Sequence, residues 1–327
     1  YQPEAPRGAE MPQKVVPPPA PEDLKTLEEL YFTGLRLNQF YNAHLDPMDY
    51  YLEALKRDSG SYLVNTQLGI LDCKGFRWEL AEKRLRTALE RSTYNHTRPK
   101  DGEAWYYLGI SLRAQGKNQA AYDAFYRASW SLGWTAASYY QLAELDCLKG
   151  DYLSALDHIQ SSVGMNGQNL KAKNLKTIVL RKTGRSEEAS RLALSIFETD
   201  PLDLVSRNEL QLLDQPGPKL EASVMGEVET ILEMAAFYMN GGFYQEAIDL
   251  LSRLDTSMHD GGSDYPLVYY YLAYCHDKLG SKDTFHSYAK MAASMPPDYC
   301  FPYRQESLEA LEYILAANPD DARALYY

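Results

Sequence analysis

Small residues recur at a fixed spacing in the middle of the chain. Gly109, Ala143 and Thr177 follow one another at intervals of 34 residues. Another small residue lies 12 positions after each of them, at Ala121, Ala155 and Ala189. Two antiparallel helices joined by a short turn fit a repeat of this length, and small residues allow their backbones to approach. The spacing therefore predicts an array of helix pairs.

The stretch EAWYYLGISLRAQGKNQAAYDAFYRAS, residues 103–129, shows the predicted packing most clearly. Gly109 and Ala121 are expected where the two helices touch, which is called the seam below. Larger apolar side chains should fill the space around them. Gly116 should end the first helix, because a left-handed backbone is least costly at glycine. The large seam residues are predicted to be Trp105, Leu108, Leu112 and Phe125.

Further copies of the pattern surround Gly69, Ala235 and Ala273, and the copies at Thr177 and Ala273 are degenerate. Phe285 stands where the last copy should have a small residue. The interval from Gly69 to Gly109 is lengthened by a loop at residues 91–103. The interval from Thr177 to Ala235 leaves room for an extra helix in LDLVSRNELQLL, residues 202–213.

Proline and glycine suggest the boundaries of the array. Residues 1–21 contain seven prolines and are predicted to be an extended linker. A first sub-array is expected at 22–213, a Pro/Gly break at 214–225 and a second sub-array at 226–327. Pro319 should close one helix, and Ala322 should begin the first helix of a new repeat. The sequence is therefore expected to be a fragment that stops within a repeat.

These offsets resemble the tetratricopeptide repeat (TPR). The resemblance implies an all-α fold, a right-handed α-solenoid of helix-turn-helix repeats that binds other proteins. GEAWYYLGISLRAQGKNQAAYDAFYRASWSLGW and DYCFPYRQESLEALEYILAANPDDARALYY also resemble the TPR region of large bacterial proteins. In those proteins a β-rich domain of unknown function precedes the repeats. This narrower resemblance implies an upstream β-rich domain as partner and a bacterial source.

Composition limits the other function classes. The net charge is −12 and no Lys/Arg cluster offers a phosphate-binding surface, so nucleic acid is not an expected partner. The longest apolar run, LVYYYLAYC at 267–275, is shorter than a membrane span. A cytoplasmic protein with reduced cysteines is predicted, with a disulfide or metal site as the alternative for Cys73, Cys147, Cys275 and Cys300. His276 is interpreted as a packed histidine rather than a ligand.

Recognisable catalytic, metal and cofactor motifs are missing from the sequence, so a non-enzyme without a cofactor is predicted. The acidic excess could supply a carboxylate pair for glycoside hydrolysis, but carboxylates on helical repeats usually form a solvated face. The alternative function is therefore an all-α carbohydrate-active or sugar-binding auxiliary domain. The 34-residue interval and the short Gly turns argue against it.

Tyrosine is the one residue type in clear excess, with 27 Tyr against 9 Phe and 4 Trp. Tyr106, Tyr140 and Tyr270 each precede a seam residue by three positions, and Tyr274 follows Ala273. By analogy with TPR helices these four could line a concave groove that binds a domain of the same protein, another protein or a second copy of the chain. The alternative is that the rings pack between neighbouring helices with the hydroxyl groups at the surface. The Lys and Asn positions of carboxylate-clamp TPR grooves are not reproduced, so a chaperone-tail receptor is not expected.

Overall fold

The computed structural model describes residues 16–40, 42, 44–215, 220, 227–254 and 264–327. Within these ranges the regular structure is entirely helical, with 17 α-helices and two short 3-10 helices. The predicted all-α class built from helix-turn-helix repeats is confirmed. The chain divides into two compact units, Tyr1–Ser131 and Leu132–Tyr327.

The first unit contains three helix pairs, which follow a 3-10 helix at Pro21–Asp23. The helices in chain order are α1 (Leu27–Gln39), α2 (Pro47–Arg57), α3 (Tyr62–Lys74), α4 (Trp78–Thr93), α5 (Glu103–Ala114) and α6 (Asn118–Ala128).

The described residues of the second unit form eleven α-helices and a 3-10 helix at Ser252–Leu254. The α-helices in chain order are α7 (Leu132–Lys149), α8 (Tyr152–Met165), α9 (Leu170–Lys182), α10 (Ser186–Thr199), α11 (Leu204–Leu212), α12 (Val228–Asn240), α13 (Tyr244–Leu251), α14 (Pro266–Lys278), α15 (Lys282–Ser294), α16 (Gln305–Ala317) and α17 (Ala322–Tyr326).

Seam glycines in the first unit lie directly under large side chains. A Cβ atom built on Gly109 would lie 2.5 Å from Phe125 Cε1. The same construction on Gly69 would place it 2.6 Å from Leu85 Cγ. Both distances are below van der Waals contact, so glycine is required for the helices to pack this closely. The predicted seam at Gly109 is therefore present in the structure.

A first helix pair, α1 with α2, was not identified from the repeat pattern. Its seam residue is Gly34, where an added Cβ would lie 2.7 Å from Tyr51 Cε1. The loop between α1 and α2 is longer than in the other pairs and shifts the second helix out of register. The offsets that define the later copies therefore do not apply to this pair.

The turn glycines adopt the predicted left-handed backbone. Gly116 has φ = +71°. In the copy headed by Gly69, the equivalent position is Phe76 and not the preceding Gly75. Phe76 has φ = +57°, an unfavourable conformation for an aromatic residue. The other turn glycines with positive φ are Gly150, Gly184, Gly242 and Gly280.

The less regular copies of the repeat are also present as helix pairs. Thr177 and Ala273 are fully buried, and Phe285 is 4% exposed, so the bulky residue is accommodated inside the core. The extra helix predicted at 202–213 is α11. The predicted break at 214–225 lies largely outside the described residues, so the proposed sub-array boundary stays a prediction.

Residues near the two ends of the chain can be compared with the predictions in part. Most of the predicted linker, residues 1–15, lies outside the described ranges. Beyond it, Tyr50 Oη in α2 donates to the Pro19 carbonyl at 2.9 Å. Near the other end, Asp321 caps the new helix α17, which confirms the helix predicted to begin at Ala322.

Candidate functional site

Two of the four predicted groove tyrosines are buried. Tyr140 in α7 is 6% exposed, and its hydroxyl donates to Glu144 Oε1 at 2.6 Å. Tyr270 in α14 is fully buried, and its hydroxyl donates to Asp321 Oδ1 at 2.9 Å. Burial and the nearby Asp321 carboxylate raise the pKa of Tyr270. The hydroxyl groups are therefore not at the surface, because acidic side chains cover them.

The other two predicted tyrosines are half-buried. The Tyr106 ring lies 5.6 Å from the Phe125 ring in the first unit. In the second unit, the Tyr274 ring meets the Tyr313 ring edge-on at 5.3 Å. Of the four residues, the structure brings together Tyr270 and Tyr274, which are one turn apart on α14.

A cavity of about 630 Å³ opens in the second unit between α9, α11, α12 and the residues that lead into α16. Its floor includes apolar side chains of α12, among them Met234 and Phe237. Its other walls carry carboxylates, amides and two cations. The polar and charged lining residues are Lys171, Asn174, Asp200, Asp203, Thr230, Glu233, Asn240, Tyr303, Arg304 and Glu306.

The segment beside this cavity exposes three aromatic side chains in five residues, which we call the aromatic strip. Tyr299, Phe301 and Tyr303 are 87%, 72% and 67% exposed, whereas the intervening Cys300 is 3% exposed. Tyr303 lines the cavity and Phe301 lies two residues before it, whereas Tyr299 occupies a turn with φ = +58°. Sequence reasoning missed this strip, although the alternation in YCFPY, residues 299–303, was a usable signal.

Arg304 fixes the end of the aromatic strip. Its Nη1 atom lies 2.5 Å from Glu229 Oε2, and its Nη2 atom donates to the Glu229 carbonyl at 3.0 Å. The guanidinium carbon lies 4.3 Å from the centre of the Tyr303 ring. Before Tyr303 in the chain, the backbone N–H of Phe301 donates a hydrogen bond to Tyr265 Oη at 3.4 Å. The exposed rings are therefore presented by an anchored backbone.

A separate buried network holds α9, α11, α12 and α13 together. Arg181 makes a two-point ion pair with Glu209 at 2.7 and 3.0 Å and also reaches Glu246 at 3.0 Å. The hydroxyl of Tyr238 donates to Glu209 at 2.8 Å. Burial opposes ionisation of Glu246, yet Lys182 and Arg181 hold its pKa below the ordinary value. Because every member has a partner inside the fold, we interpret the network as structural.

The first unit has its own cavity, of about 670 Å³, below the loop that follows α4. Its rim is basic and includes Arg91, His96, Arg98 and Lys100. Glu103 lies on its floor, and burial, reinforced by Asp101, raises the pKa of that carboxyl group. The lining is of mixed charge and includes one exposed aromatic side chain, Tyr62, which is 44% exposed.

The described residues contain no group of three potential metal ligands from His, Cys, Asp and Glu. All four cysteines are buried and unpaired. Burial raises the pKa of the Cys73 thiol to about 12, which disfavours a reactive thiolate. His276 stacks on Tyr288 at 5.4 Å, consistent with its interpretation as a packed residue. No described helix is long and apolar enough to cross a membrane.

Comparison with known families identifies the repeat type. The profile of the tetratricopeptide repeat family matches residues 76–137, which include the α5–α6 pair. Residues 76–137 contain the tetratricopeptide repeat. Human tetratricopeptide repeat protein 7A is 35% identical over 99 residues, which are 30% of this chain and 11% of that protein. The chain therefore spans a small part of the relative that it matches.

One solved structure extends the similarity in fold to most of the chain, and a second match is weaker. A tetratricopeptide repeat protein from Parabacteroides merdae has a TM-score of 0.50 at 14% identity, over 88% of this chain and 98% of that chain. The C-terminal part of a TPR repeat-containing protein from Cytophaga hutchinsonii has a TM-score of 0.48 at 11% identity, over 88% and 99% of the two chains. At these identities the Parabacteroides structure supports the TPR fold and nothing more specific.

Proposed function

We propose that the chain is an interaction scaffold that binds partner proteins at the cavity and aromatic strip of the second unit. The observation that carries the proposal is the strip itself. Tyrosine and phenylalanine supply large contact areas at low entropic cost, and they are enriched where proteins associate. Three of them are held outward here beside a concave surface by a backbone anchored at Cys300 and Arg304.

The predicted groove residues take two roles in this proposal. Tyr106 and Tyr274 are half-buried and contribute contact area on their own units. Tyr140 and Tyr270 have a packing role, because their rings and hydroxyl groups are enclosed. The primary binding surface is therefore the aromatic strip, with the tyrosine positions of the helices as secondary contacts.

The partner is a domain of the same protein, such as an upstream β-rich domain, or another protein. We also propose that the protein is bacterial and cytoplasmic and that it has no catalytic role. Similarity to TPR structures does not favour the carbohydrate-active alternative. A second copy of the chain is treated below as an outcome to be tested.

Site-specific photocrosslinking tests the proposal. A photoreactive amino acid at Tyr303 should crosslink to a partner protein in cells that express the chain at its natural level. The matched position is Leu153, which is 73% exposed in the same unit but lies away from the cavity. Mass spectrometry identifies the crosslinked peptides. Equal or absent protein crosslinks at the two positions would refute the scaffold role of this surface.

A further inference from the structure

Four carboxylates around the cavity of the second unit lack a cationic partner. No lysine or arginine in the described part of the chain forms an ion pair with them. Their hydrogen-bond partners include the neutral amides of Asn174 and Asn240. Carboxylates gathered on a concave surface create a local negative potential that attracts cations. The four are Asp200, Asp203, Glu233 and Glu306.

The two cations in the lining do not cancel this potential. Arg304 is already paired with Glu229, at 2.5 Å. Lys171 lies over the Tyr140 ring, with its Nζ atom 5.5 Å from the ring centre. Lys171 still carries its charge and offsets one of the four carboxylates, so the lining keeps an excess of negative charge.

Asn174 has a buried acceptor atom without a partner among the described residues, which indicates independently that the ligand is a hydrogen-bond donor. It is 3% exposed and lines the cavity, and its Nδ2 atom donates to Asp203 Oδ2 at 2.8 Å. Its Oδ1 atom is buried and accepts no hydrogen bond within the described residues. A buried acceptor without a donor is costly, so a ligand that carries N–H groups would relieve this cost.

We propose that this cavity binds a lysine or arginine side chain from an extended basic segment of the partner protein. The inference rests on the proposed function and specifies the chemistry of the partner. The cationic head enters among the carboxylates and donates hydrogen bonds to their oxygens. The neighbouring residues of the segment pack on Tyr303, which lines the cavity, and on the exposed Phe301 two residues before it.

A second copy of the chain is a poorer occupant than a basic partner. The chain has a net charge of −12, so two copies repel one another at long range. An acidic or phosphorylated segment would meet the same repulsion at the carboxylates. Charge complementarity thus selects a basic segment, and binding should weaken as salt is added.

Fluorescence anisotropy with two pools of short labelled peptides tests the inference. The pools share randomised neighbouring positions and differ only in arginine or glutamate at the centre. The intact chain should bind the arginine pool at least about tenfold more tightly, equivalent to about 1.4 kcal/mol. A double variant, Glu233→Gln with Glu306→Gln, should lose this preference.

Matched variants separate local effects from general ones. Asp249→Asn removes an exposed carboxylate of α13 outside the cavity lining and should leave the arginine preference unchanged. The double variant Phe301→Ser with Tyr303→Ser should bind the arginine pool severalfold more weakly. Leu153→Ser should bind it with unchanged affinity. Melting temperatures within a degree or two of the parent protein would show that none of these effects reflects unfolding.

Three results would overturn the inference. The first is an equal loss of binding in Asp249→Asn, which would show non-specific attraction to an acidic protein. The second is tight binding of spermidine at the carboxylates with no effect of the aromatic variants, which would identify a small polyamine site. The third is self-association lost in the aromatic-strip variant, which would identify a second copy as occupant. Crosslinks from Tyr303 to non-basic partner segments would refute the inference but preserve the scaffold function.

Discussion

The two units solve the same packing problem with different side chains. In the first unit the helix pairs meet at Gly34, Gly69 and Gly109, each directly under a large side chain. In the second unit the seam residues are alanine or threonine instead of glycine. The interior of this unit contains the ion pair between Arg181 and Glu209. The first unit also contains a buried carboxylate, Asp72, which pairs with Arg77 and Arg84 at 2.8 Å. The two units therefore differ in the steric demand of their seams, and both depend on a buried ion pair.

Loss of Arg181 should have the largest effect on stability, confined to the second unit. Arg181→Met leaves the fully buried Glu209 without its cation, which costs about 3–5 kcal/mol. The control Arg185→Met breaks a solvent-screened pair with Glu188, whose side chains are 41% and 43% exposed, and should have a much smaller effect. Hydrogen–deuterium exchange read by mass spectrometry reports each unit separately. A similar small loss of stability in both variants would show that the buried ion pair between Arg181 and Glu209 does not stabilise the second unit.

Gly109→Leu should be the corresponding change for the first unit. Even a Cβ atom would lie 2.5 Å from the Phe125 ring, so overpacking should cost about 3 kcal/mol. Gly60→Ala is the control, because its new Cβ would meet its nearest neighbour at 3.5 Å. Denaturant unfolding followed by circular dichroism gives both values. A Gly109→Leu protein as stable as the control would show that the seam is not sterically limited.

Tyr270→Phe sharpens the comparison by testing one polar group of the second unit. The change removes the hydroxyl donor to Asp321 and should cost about 1 kcal/mol. The cost is moderate because Asp321 also accepts from two backbone N–H groups of α17. Tyr326→Phe, at a 71% exposed side chain, should be neutral. An unchanged melting temperature together with weakened partner binding would place Tyr270 in the binding surface after all.

The smallest expected effects concern two equivalent turns of the first unit and have opposite signs. Gly116→Ala places a side chain at φ = +71° with no neighbour within 4 Å, so its cost of about 1 kcal/mol is purely conformational. Phe76→Gly relieves a positive φ but loses an edge-to-face contact with Trp78 at 5.6 Å. A net gain below about 1 kcal/mol is expected from chemical denaturation. A loss in Phe76→Gly would mean that the aromatic contact outweighs the backbone strain.

The sequence alone was sufficient to predict most of the helix pairs, with their seams and turns. Spacing is a one-dimensional property, and a helix of 3.6 residues per turn converts it directly into which residues meet. Gly109, Ala121 and Gly116 were therefore identified correctly. The pair α1–α2 was missed because its longer loop breaks the register on which the offsets depend.

Only the tertiary structure decided which tyrosines are enclosed and which surface is available for binding. The offsets placed Tyr140 and Tyr270 on one helical face, but their burial depends on Glu144 and on Asp321, 51 residues away from Tyr270 in sequence. The acidic cavity likewise combines residues that are distant along the chain, from Lys171 to Glu306, and the exposure of the aromatic strip depends on the elements packed around it. Periodicity fixes neighbours within a helix pair, whereas exposure depends on what every other element leaves uncovered.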